Sequence, residues 1–311
     1  MTAPDGRTLH YGEFYGVTRV QDRDDRRTLV VWGNCQAEAL RIVLASAGDL
    51  PYRTVRVPPV HELTAEDIPH VERLLDGADV VASQPVRPAY RRLPIGTADI
   101  MAMARASTKK IVWPVIRYGG LFPFQVIVRH PDRPAAVPTG VPYHDLRTIL
   151  SARQGRTRFE NWDVDVSAEQ IRSAAIWSIA ELARRESRDC DVGISDILSS
   201  QGADAAHTIN HPGNGVLMRL GGRVLDAVGG SEPTRPDREL LGTVRTPLEN
   251  RVVDALELDA AERPTWTLDG DTLTQREIYA TQMLWYAEHP EFIDAAITRY
   301  GELLDILGIA S

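Results

Sequence analysis

One of the two cysteines in this sequence follows directly after an apolar run at residues 28–33 and precedes a helical pattern. The turn reads Gly33, Asn34, Cys35, Gln36. A helix that begins here would offer unpaired backbone N–H groups and the positive end of its dipole. These features predict a lowered thiol pKa and a nucleophilic Cys35, with N–H groups that can hold an anion or an oxyanion. The alternative is a buried structural cysteine.

A second polar cluster, HTINHPGNG, occupies residues 207–215. On a helix, His207 and His211 would share one face with the spacing of metal ligands. Pro212 and Gly213 follow at once, so we expect His211 to lie in a turn before a helix that starts at Asn214. We therefore predict no metal site and assign His211 as a general base or ligand-orienting residue. A His-Pro turn that merely precedes the helix is the structural alternative.

The elements that position these residues follow from the apolar patterns. Between 28 and 118 short apolar runs alternate with helical patterns, which predicts a parallel sheet of about four strands. Ligands bind beyond the carboxyl ends of such strands, so the loops at 33–36, 83–92 and 117–124 are expected at one edge. The spacing of apolar residues in the second half of the chain predicts mostly helices. The fold class is therefore α/β, followed by a mostly helical C-terminal half.

Charge and composition exclude several classes of function. The net charge of −8 argues against a general nucleic-acid binder. Two cysteines cannot form a disulfide framework, and the N-terminal sequence lacks the features of a signal peptide, so we expect a cytoplasmic protein. No run approaches the roughly 18 apolar residues of a membrane helix. No glycine-rich dinucleotide fingerprint and no Walker motif occur, which disfavours a dehydrogenase or a kinase.

Five short motifs occur in order along residues 29–228: GNCQ, VVASQPV, VWPVIRYGGLFPF, VGISDIL and TINHPGNGVLMRL. This ordered set resembles the WcbI-type capsular polysaccharide biosynthesis family. The first motif also resembles the opening block of the SGNH/GDSL hydrolases, with Asn34 in place of its aspartate and Cys35 in place of its nucleophilic serine. The resemblance implies an SGNH-like, three-layer α/β half. It also implies binding of coenzyme A and an acetyl transfer to a sugar.

These observations lead to the hypothesis of an O-acyltransferase that transfers an acyl group from acyl-CoA to a hydroxyl of a sugar or natural product. No metal is expected to take part. Cys35 and His211 are the predicted catalytic residues. The predicted polar and oxyanion support is Gly33, Asn34, Gln36, Ser83, Gln84 and Asn210. The predicted coenzyme A contacts are Arg87, Arg91, Arg92, Lys110, Arg117, Tyr118 and Gly119. Two alternatives stay open: a thioesterase or esterase, and a non-catalytic module that holds coenzyme A.

The predicted domains are an N-terminal extension at 1–27, a WcbI-like α/β domain at 28–228 and a helical region at 229–311 packed on it. The expected partners are a small acyl donor and a hydroxyl acceptor, and association into an oligomer is left open.

The chain departs from the family pattern around Pro123, in the glycine-containing loop at residues 117–124. Phe122 and Phe124 stand where the family tends to carry a histidine and an aspartate. No acceptor-side role is therefore carried over to that loop.

Overall fold

The computed structural model describes residues 5–17, 25–133 and 136–309. It divides the chain into two compact units, each built from three segments. Unit 1 comprises Met1–Val115, Ala183–Ile197 and Gly213–Leu241. Unit 2 comprises Ile116–Leu182, Leu198–Pro212 and Gly242–Ser311. The domain boundaries expected from the sequence stay a prediction.

The helices and strands up to residue 112 are α1 (Gly6–His10), α2 (Gly12–Tyr15), β1 (Arg27–Trp32), α3 (Cys35–Ala45), β2 (Tyr52–Val55), α4 (Ile68–Asp76), β3 (Val80–Ser83), α5 (Thr97–Met103) and β4 (Lys109–Val112). Those that follow are β5 (Gln125–Val126), β6 (His144–Asp145), α6 (Leu146–Arg153), α7 (Ala168–Asp189), β7 (Ala206–Thr208), β8 (His211–Pro212), α8 (Asn214–Val228), β9 (Val244–Arg245), α9 (Asn250–Ala255), β10 (Trp266–Leu268), β11 (Asp271–Leu273), α10 (Gln275–Glu288) and α11 (Pro290–Leu307). Short 3-10 helices lie at Ala65–Asp67, Tyr90–Arg92, Phe159–Asn161, Ser195–Ile197 and Ser199–Ala205.

Unit 1 is built around a four-stranded sheet in the order β2-β1-β3-β4. Every pairing in it is parallel. From Thr28 onward β1 is buried, and all of β3 is buried, because parallel sheets are covered on both faces. This confirms the predicted α/β fold and its four parallel strands. The strand order reverses between β1 and β3, which makes the gap at their carboxyl ends the place where such folds bind ligands.

Residues 6–15 of the predicted N-terminal extension are mostly helical. They form α1 and α2, which tertiary contacts hold in place. Asp67 accepts hydrogen bonds from the Arg7 guanidinium at 3.1 Å and from the Tyr15 hydroxyl at 2.8 Å, and Phe14 is fully buried. Helices this short are not stable alone, so a prediction from local pattern misses them. The rest of the predicted extension that precedes residue 5 or spans 18–24 lies outside the described residues.

Unit 2 contains α6, α9, α10 and α11, together with small antiparallel sheets that the prediction of a mostly helical second half missed, whereas α8 belongs to unit 1. β10 pairs with β11 and with β9, β5 pairs with β6, and β7 pairs with β8. Asp269 and Gly270 join β10 to β11 with φ of 50° and 95°. An Asp-Gly pair at positive φ is the usual two-residue hairpin turn, so the sequence did contain a signal for this element. The predicted helical stretch after residue 274 is two helices, the second of which starts at Pro290.

Within the described ranges, no helix is both long enough and apolar enough to cross a membrane.

Candidate functional site

The turn between β1 and α3 is built around an asparagine cap. α3 begins at Cys35, and the Asn34 side chain accepts a hydrogen bond from the Gln36 backbone N–H at 2.9 Å. Asparagine is one of the preferred residues at this position because its oxygen satisfies an otherwise unpaired N–H group. The helix start predicted from the sequence is therefore confirmed. It places Cys35 at the first turn of the helix, directly beyond the carboxyl end of β1.

Gln84, the residue after β3, ties the ends of three strands together. Its Oε1 accepts from the Asn34 backbone N–H at 2.9 Å, and its Nε2 donates to Gln36 Oε1 at 2.8 Å and to the Pro114 carbonyl at 3.4 Å. Gln36 and Gln84 are buried, at 0% and 1% exposure. A buried amide network of this kind, with its atoms hydrogen-bonded, holds the turn in one arrangement.

Gly33 makes this network possible. A Cβ added at Gly33 would lie 2.3 Å from Gln84 Oε1 and 2.8 Å from its Cδ. The Gln84 side chain therefore occupies the space that any larger residue at position 33 would need. The requirement for glycine here is one of close approach, which explains the order Gly-Asn-Cys-Gln beside a glutamine on the next strand.

The Cys35 thiol is partly buried. Burial raises its pKa above the ordinary value, the Glu62 carboxylate adds to this, and the backbone N–H groups of Cys35 and Gln36 oppose it. The predicted lowering of the thiol pKa was therefore wrong in its net direction. Loss of solvent outweighs the donors at the helix N-terminus, so the thiol rests in its neutral form. It needs a base or a bound ligand before it can act as a thiolate.

Of the other groups predicted to support an oxyanion, those in unit 1 have partners inside that unit. The Asn34 N–H donates to Gln84 Oε1, and the Gln36 N–H donates to the Asn34 side chain. Ser83 is fully buried, and its hydroxyl donates to the Gln84 carbonyl at 2.7 Å. Thr97, which the sequence did not single out, donates to the same carbonyl and accepts from the Val86 N–H. These bonds position the turn, and a direct role in stabilising an oxyanion stays a prediction.

The segment after Gln84 presents exposed cations on a strained backbone. Arg87, Arg91 and Arg92 are exposed. Ala89, Arg91 and Arg92 have φ of 49°, 54° and 64°. Residues with side chains rarely adopt this left-handed region, so the surrounding structure must impose it. Arg91 also donates to the His61 carbonyl. The three guanidinium groups follow the carboxyl end of β3 and can meet an anionic ligand there.

Lys110 occupies a different position. It is the second residue of β4, its side chain is exposed, and it pairs with Val81, which is likewise near the start of its strand. Its place in the amino half of β4 makes it the weakest member of the predicted coenzyme A contacts. Its role stays a prediction.

The remaining predicted residues lie in unit 2. His211 is the first residue of β8, in a hairpin opposite Thr208, and α8 starts at Asn214 as predicted. His207 and His211 are therefore not one turn apart on a helix. The Asn210 side-chain oxygen accepts from the Tyr143 hydroxyl at 2.9 Å and from the Thr208 hydroxyl at 3.2 Å. The pairing of His211 with Cys35 stays a prediction.

The loop at residues 117–124, which contains Gly119 and Gly120, is held by hydrogen bonds from its backbone. The Tyr118 N–H donates to the Ile209 carbonyl at 2.7 Å, and the Gly119 N–H donates to the Ser178 hydroxyl at 2.7 Å. Arg117 is partly buried, and burial lowers its pKa, with Arg129 and Arg299 acting in the same direction. Their roles in binding coenzyme A stay predictions.

The motif VGISDIL has a structural explanation in unit 1. The buried Glu186 carboxylate accepts from the backbone N–H groups of Ile194 and Ser195 at 2.8 and 3.1 Å, and from the Ser195 hydroxyl. Glu186 Oε2 would lie 2.9 Å from a Cβ at Gly193, which accounts for that glycine. A buried carboxylate with several donors anchors this segment, so the motif needs no catalytic role.

One group among the described residues could in principle hold a metal ion. Donor atoms of His130, Asp132 and Glu291 lie within 4.8 Å of one another. However, His130 Nδ1 accepts from the backbone N–H groups of Asp132 and Arg133 at 3.2 and 3.1 Å. The single proton of a neutral imidazole must then reside on Nε2, which lies 2.8 Å from Glu291 Oε1. A protonated nitrogen has no lone pair for a metal, so this group is arranged as a histidine–carboxylate pair.

The fold and the turn together define an α/β protein with a candidate binding edge at the carboxyl ends of β1 and β3. A family model described as the polysaccharide biosynthesis enzyme WcbI matches residues 28–233. Because the match spans more than half of the chain, this chain belongs to the WcbI family of polysaccharide biosynthesis enzymes.

A solved structure has the same fold. It is described as WcbI, a novel polysaccharide biosynthesis enzyme, in its native form without a disulfide bond between coenzyme A and one of its cysteines. The match has a TM-score of 0.71 at 16% identity and covers 91% of this chain and 98% of that one. None of the curated proteins matches this sequence.

Proposed function

We propose that this chain is an acyl-CoA-dependent O-acyltransferase that modifies a hydroxyl group of a sugar or a related biosynthetic intermediate. Membership of the WcbI family supports a role in polysaccharide biosynthesis. The similar structure is described as lacking a disulfide bond between coenzyme A and a cysteine, and this mention of coenzyme A supports it as the ligand. The observation that carries the proposal is the position of Cys35 between Asn34 and Gln36, both of which are hydrogen-bonded to Gln84, at the gap between β1 and β3.

Cys35 is a better candidate than Cys190 for the thiol that meets the ligand. Both are partly buried. Burial, together with the carboxylates of Glu186, Asp189 and Asp191, raises the pKa of Cys190 to about 12. A site with three carboxylates repels an anionic ligand such as coenzyme A. Cys35 instead adjoins the N-terminus of α3, whose partial positive charge favours anions.

The proposed binding mode uses the exposed guanidinium groups after β3. Arg87, Arg91 and Arg92 hold phosphate groups of coenzyme A, and its thioester end lies at Cys35. Guanidinium groups bind phosphate with two parallel hydrogen bonds, which orients the ligand as well as attracting it. Arg117, Tyr118 and Gly119 are the proposed contacts from unit 2.

In the transfer itself, the acceptor hydroxyl oxygen attacks the thioester carbon. A base, proposed to be His211, takes the hydroxyl proton. The carbon–sulfur bond breaks, and coenzyme A leaves as a thiolate that takes up that proton. A covalent route through Cys35 requires the same base first to remove the thiol proton, because burial keeps the Cys35 pKa high. Direct attack is therefore the simpler route, with Cys35 beside the thioester.

The raised pKa of Cys35 also favours one alternative, a non-catalytic module that holds coenzyme A within a biosynthetic assembly. A neutral thiol is a weak nucleophile, and a module needs none. Hydrolysis of the thioester, with water as the acceptor, is the other possibility left open by the sequence.

One set of measurements tests the proposal. Calorimetry with coenzyme A, acetyl-CoA and adenosine 3′,5′-bisphosphate measures binding, and release of free thiol with and without sugar acceptors measures turnover. Transfer predicts acceptor-dependent release that falls in His211→Ala while coenzyme A affinity stays within about tenfold, about 1.4 kcal/mol. Cys35→Ala should lose most turnover if transfer passes through Cys35 and should keep much of it if attack is direct. The control Cys190→Ala should keep its turnover in either case. Acceptor-independent release would indicate a hydrolase, binding without release would indicate a module, and no binding would refute the proposal.

A further inference from the structure

Unit 2 contains a cavity of which only Tyr118 has a role proposed above. Its volume is about 350 Å³, within the range of small-molecule sites. Its walls come from α7, from the loop after Arg117, from the 3-10 helix Ser199–Ala205, and from the end of α9 with the residues that follow it. The apolar lining consists of Leu121, Ala175, Ile176, Ile179, Leu256 and Leu258. Ile176 remains 68% exposed, which is unusual for a large apolar residue.

Tyr118 is the polar group that points to a ligand. It is only 4% exposed and lines the cavity. Among the described residues its hydroxyl has no hydrogen-bond partner, although its backbone N–H is bonded to Ile209. A phenol hydroxyl without a protein partner can donate a hydrogen bond to a ligand. Burial raises the pKa of Tyr118 to about 12, so the hydroxyl stays protonated and is available as a donor.

The neighbouring glycine supports the placement of this ring. A Cβ at Gly120 would lie 2.5 Å from the Tyr118 hydroxyl oxygen and from two ring carbons. The loop therefore leaves room for the Tyr118 ring to lie against the backbone of residue 120, and Tyr118 forms part of the cavity lining.

The charges around the cavity balance. Arg172 is exposed and donates to the Ala255 carbonyl at 3.3 Å, and it has no carboxylate within 4 Å in the described part of the chain. Glu257, also exposed, supplies one negative charge to the same lining. One cation and one anion give no net preference for a charged ligand. Apart from Tyr118 the lining has no aromatic ring, so it offers no stacking partner for a flat base.

We propose that this cavity binds a neutral ligand with an aliphatic body and one hydrogen-bond acceptor, such as the carbonyl of an alkanoyl ester. The aliphatic part lies against the leucine and isoleucine side chains of the lining. The carbonyl oxygen accepts a hydrogen bond from the Tyr118 hydroxyl. The aliphatic lining takes part in no role proposed above, and binding of this ligand needs neither coenzyme A nor Cys35, although Tyr118 is shared with the proposed coenzyme A contacts.

The test uses methyl octanoate, octanoate and methyl acetate as probes against the full chain, without coenzyme A, by calorimetry and ligand-observed NMR. Methyl octanoate should bind, octanoate should bind more weakly, and methyl acetate should show no binding at the same concentration. Tyr118→Phe should weaken the binding of methyl octanoate by about three- to tenfold, which corresponds to the net free energy of one hydrogen bond. The control is Tyr279→Phe, whose equally buried hydroxyl donates to the Arg156 carbonyl. It should leave binding unchanged.

Two further variants address the cavity itself. Ala175→Leu adds volume to the wall and should abolish binding. Ile176→Glu places a charge at an exposed position, where a substitution has little effect on folding. It should weaken the binding of methyl octanoate at least as strongly as Tyr118→Phe does. The melting temperature of Tyr118→Phe should equal or exceed that of the wild type, because the removed hydroxyl has no partner to lose. The proposal is overturned by absence of methyl octanoate binding, by tighter binding of octanoate, or by unchanged binding in both cavity variants.

Discussion

At the scale of single residues, the turn at Cys35 combines a cap, a glycine and a glutamine pair into one arrangement. Asn34 caps α3, and Gln84 bonds to both Asn34 and Gln36. The polar run that suggested chemistry therefore has a structural task as well. The Cys35 thiol stands beside this network at the candidate binding edge. Its reactivity depends on the balance between burial and the N–H groups near it.

Gly33→Ala tests the close approach of Gln84. The added Cβ would lie 2.3 Å from Gln84 Oε1, so the side chain must move and its hydrogen bonds weaken. We expect a loss of about 1–3 kcal/mol in the free energy of unfolding, measured by urea denaturation. Gly48→Ala is the matched control, because a Cβ there meets nothing within 4 Å. Equal stability of the two variants would contradict the role given to Gly33.

The pH dependence of thiol alkylation tests the state of Cys35. In a Cys190→Ser background, the rate of reaction with iodoacetamide should still be rising above pH 9, since burial raises the thiol pKa above the ordinary value of 9.0. Glu62→Gln should shift the profile to lower pH, because that carboxylate disfavours the thiolate. A midpoint below about pH 8 would mean that the helix N-terminus dominates after all.

At the scale of elements, the parallel strands bring the loops after β1 and β3 together, and the loop after β3 holds its arginines on left-handed backbone. Strain of this kind clusters at functional sites, where the surroundings impose it. Ala89, Arg91 and Arg92 are the residues concerned. The strain is consistent with arginines fixed in advance for a ligand at the candidate edge.

Ala89→Gly tests the strain directly. With φ of 49° and ψ of 36°, Ala89 carries a cost of about 1–2 kcal/mol that glycine avoids, against about 0.5–1 kcal/mol of extra chain entropy for glycine. We therefore expect Ala89→Gly to leave the free energy of unfolding unchanged or slightly raised. Ala180→Gly, at an exposed position inside α7, should lower it by about 1 kcal/mol. Similar losses in the two variants would show that the loop is not strained.

At the scale of the whole molecule, stability depends on groups that folding removes from water. His144 in unit 2 is 1% exposed, and its Nδ1 lies 2.8 Å from the Tyr286 hydroxyl. Burial lowers the pKa of His144 from 6.5 to about 3. Between these values the unfolded chain binds a proton that the folded chain does not, so this group makes stability rise with pH. Its contribution is complete above pH 6.5 and is lost as the pH falls toward 3.

His144→Phe tests this dependence. The variant should lose part of the fall in melting temperature between about pH 6.5 and pH 4, because it removes the group that the unfolded chain protonates. Tyr286→Phe is the control: it removes the hydrogen bond and leaves the imidazole buried, so the slope should persist. A wild-type slope in His144→Phe would assign the acid sensitivity to other groups.

The sequence by itself determined the α/β class, the four parallel strands and the start of α3 at Cys35, because strand burial and helix caps are local patterns. It also contained the family motifs and the turn before α8. Only the tertiary structure decided the direction of the Cys35 pKa, since burial comes from residues distant in the chain. The same holds for α1 and α2, which depend on Asp67, and for the Gln84 network, which joins positions 50 residues apart. Interactions across such separations have no periodicity for a local pattern to record, and they exist only once the chain is folded.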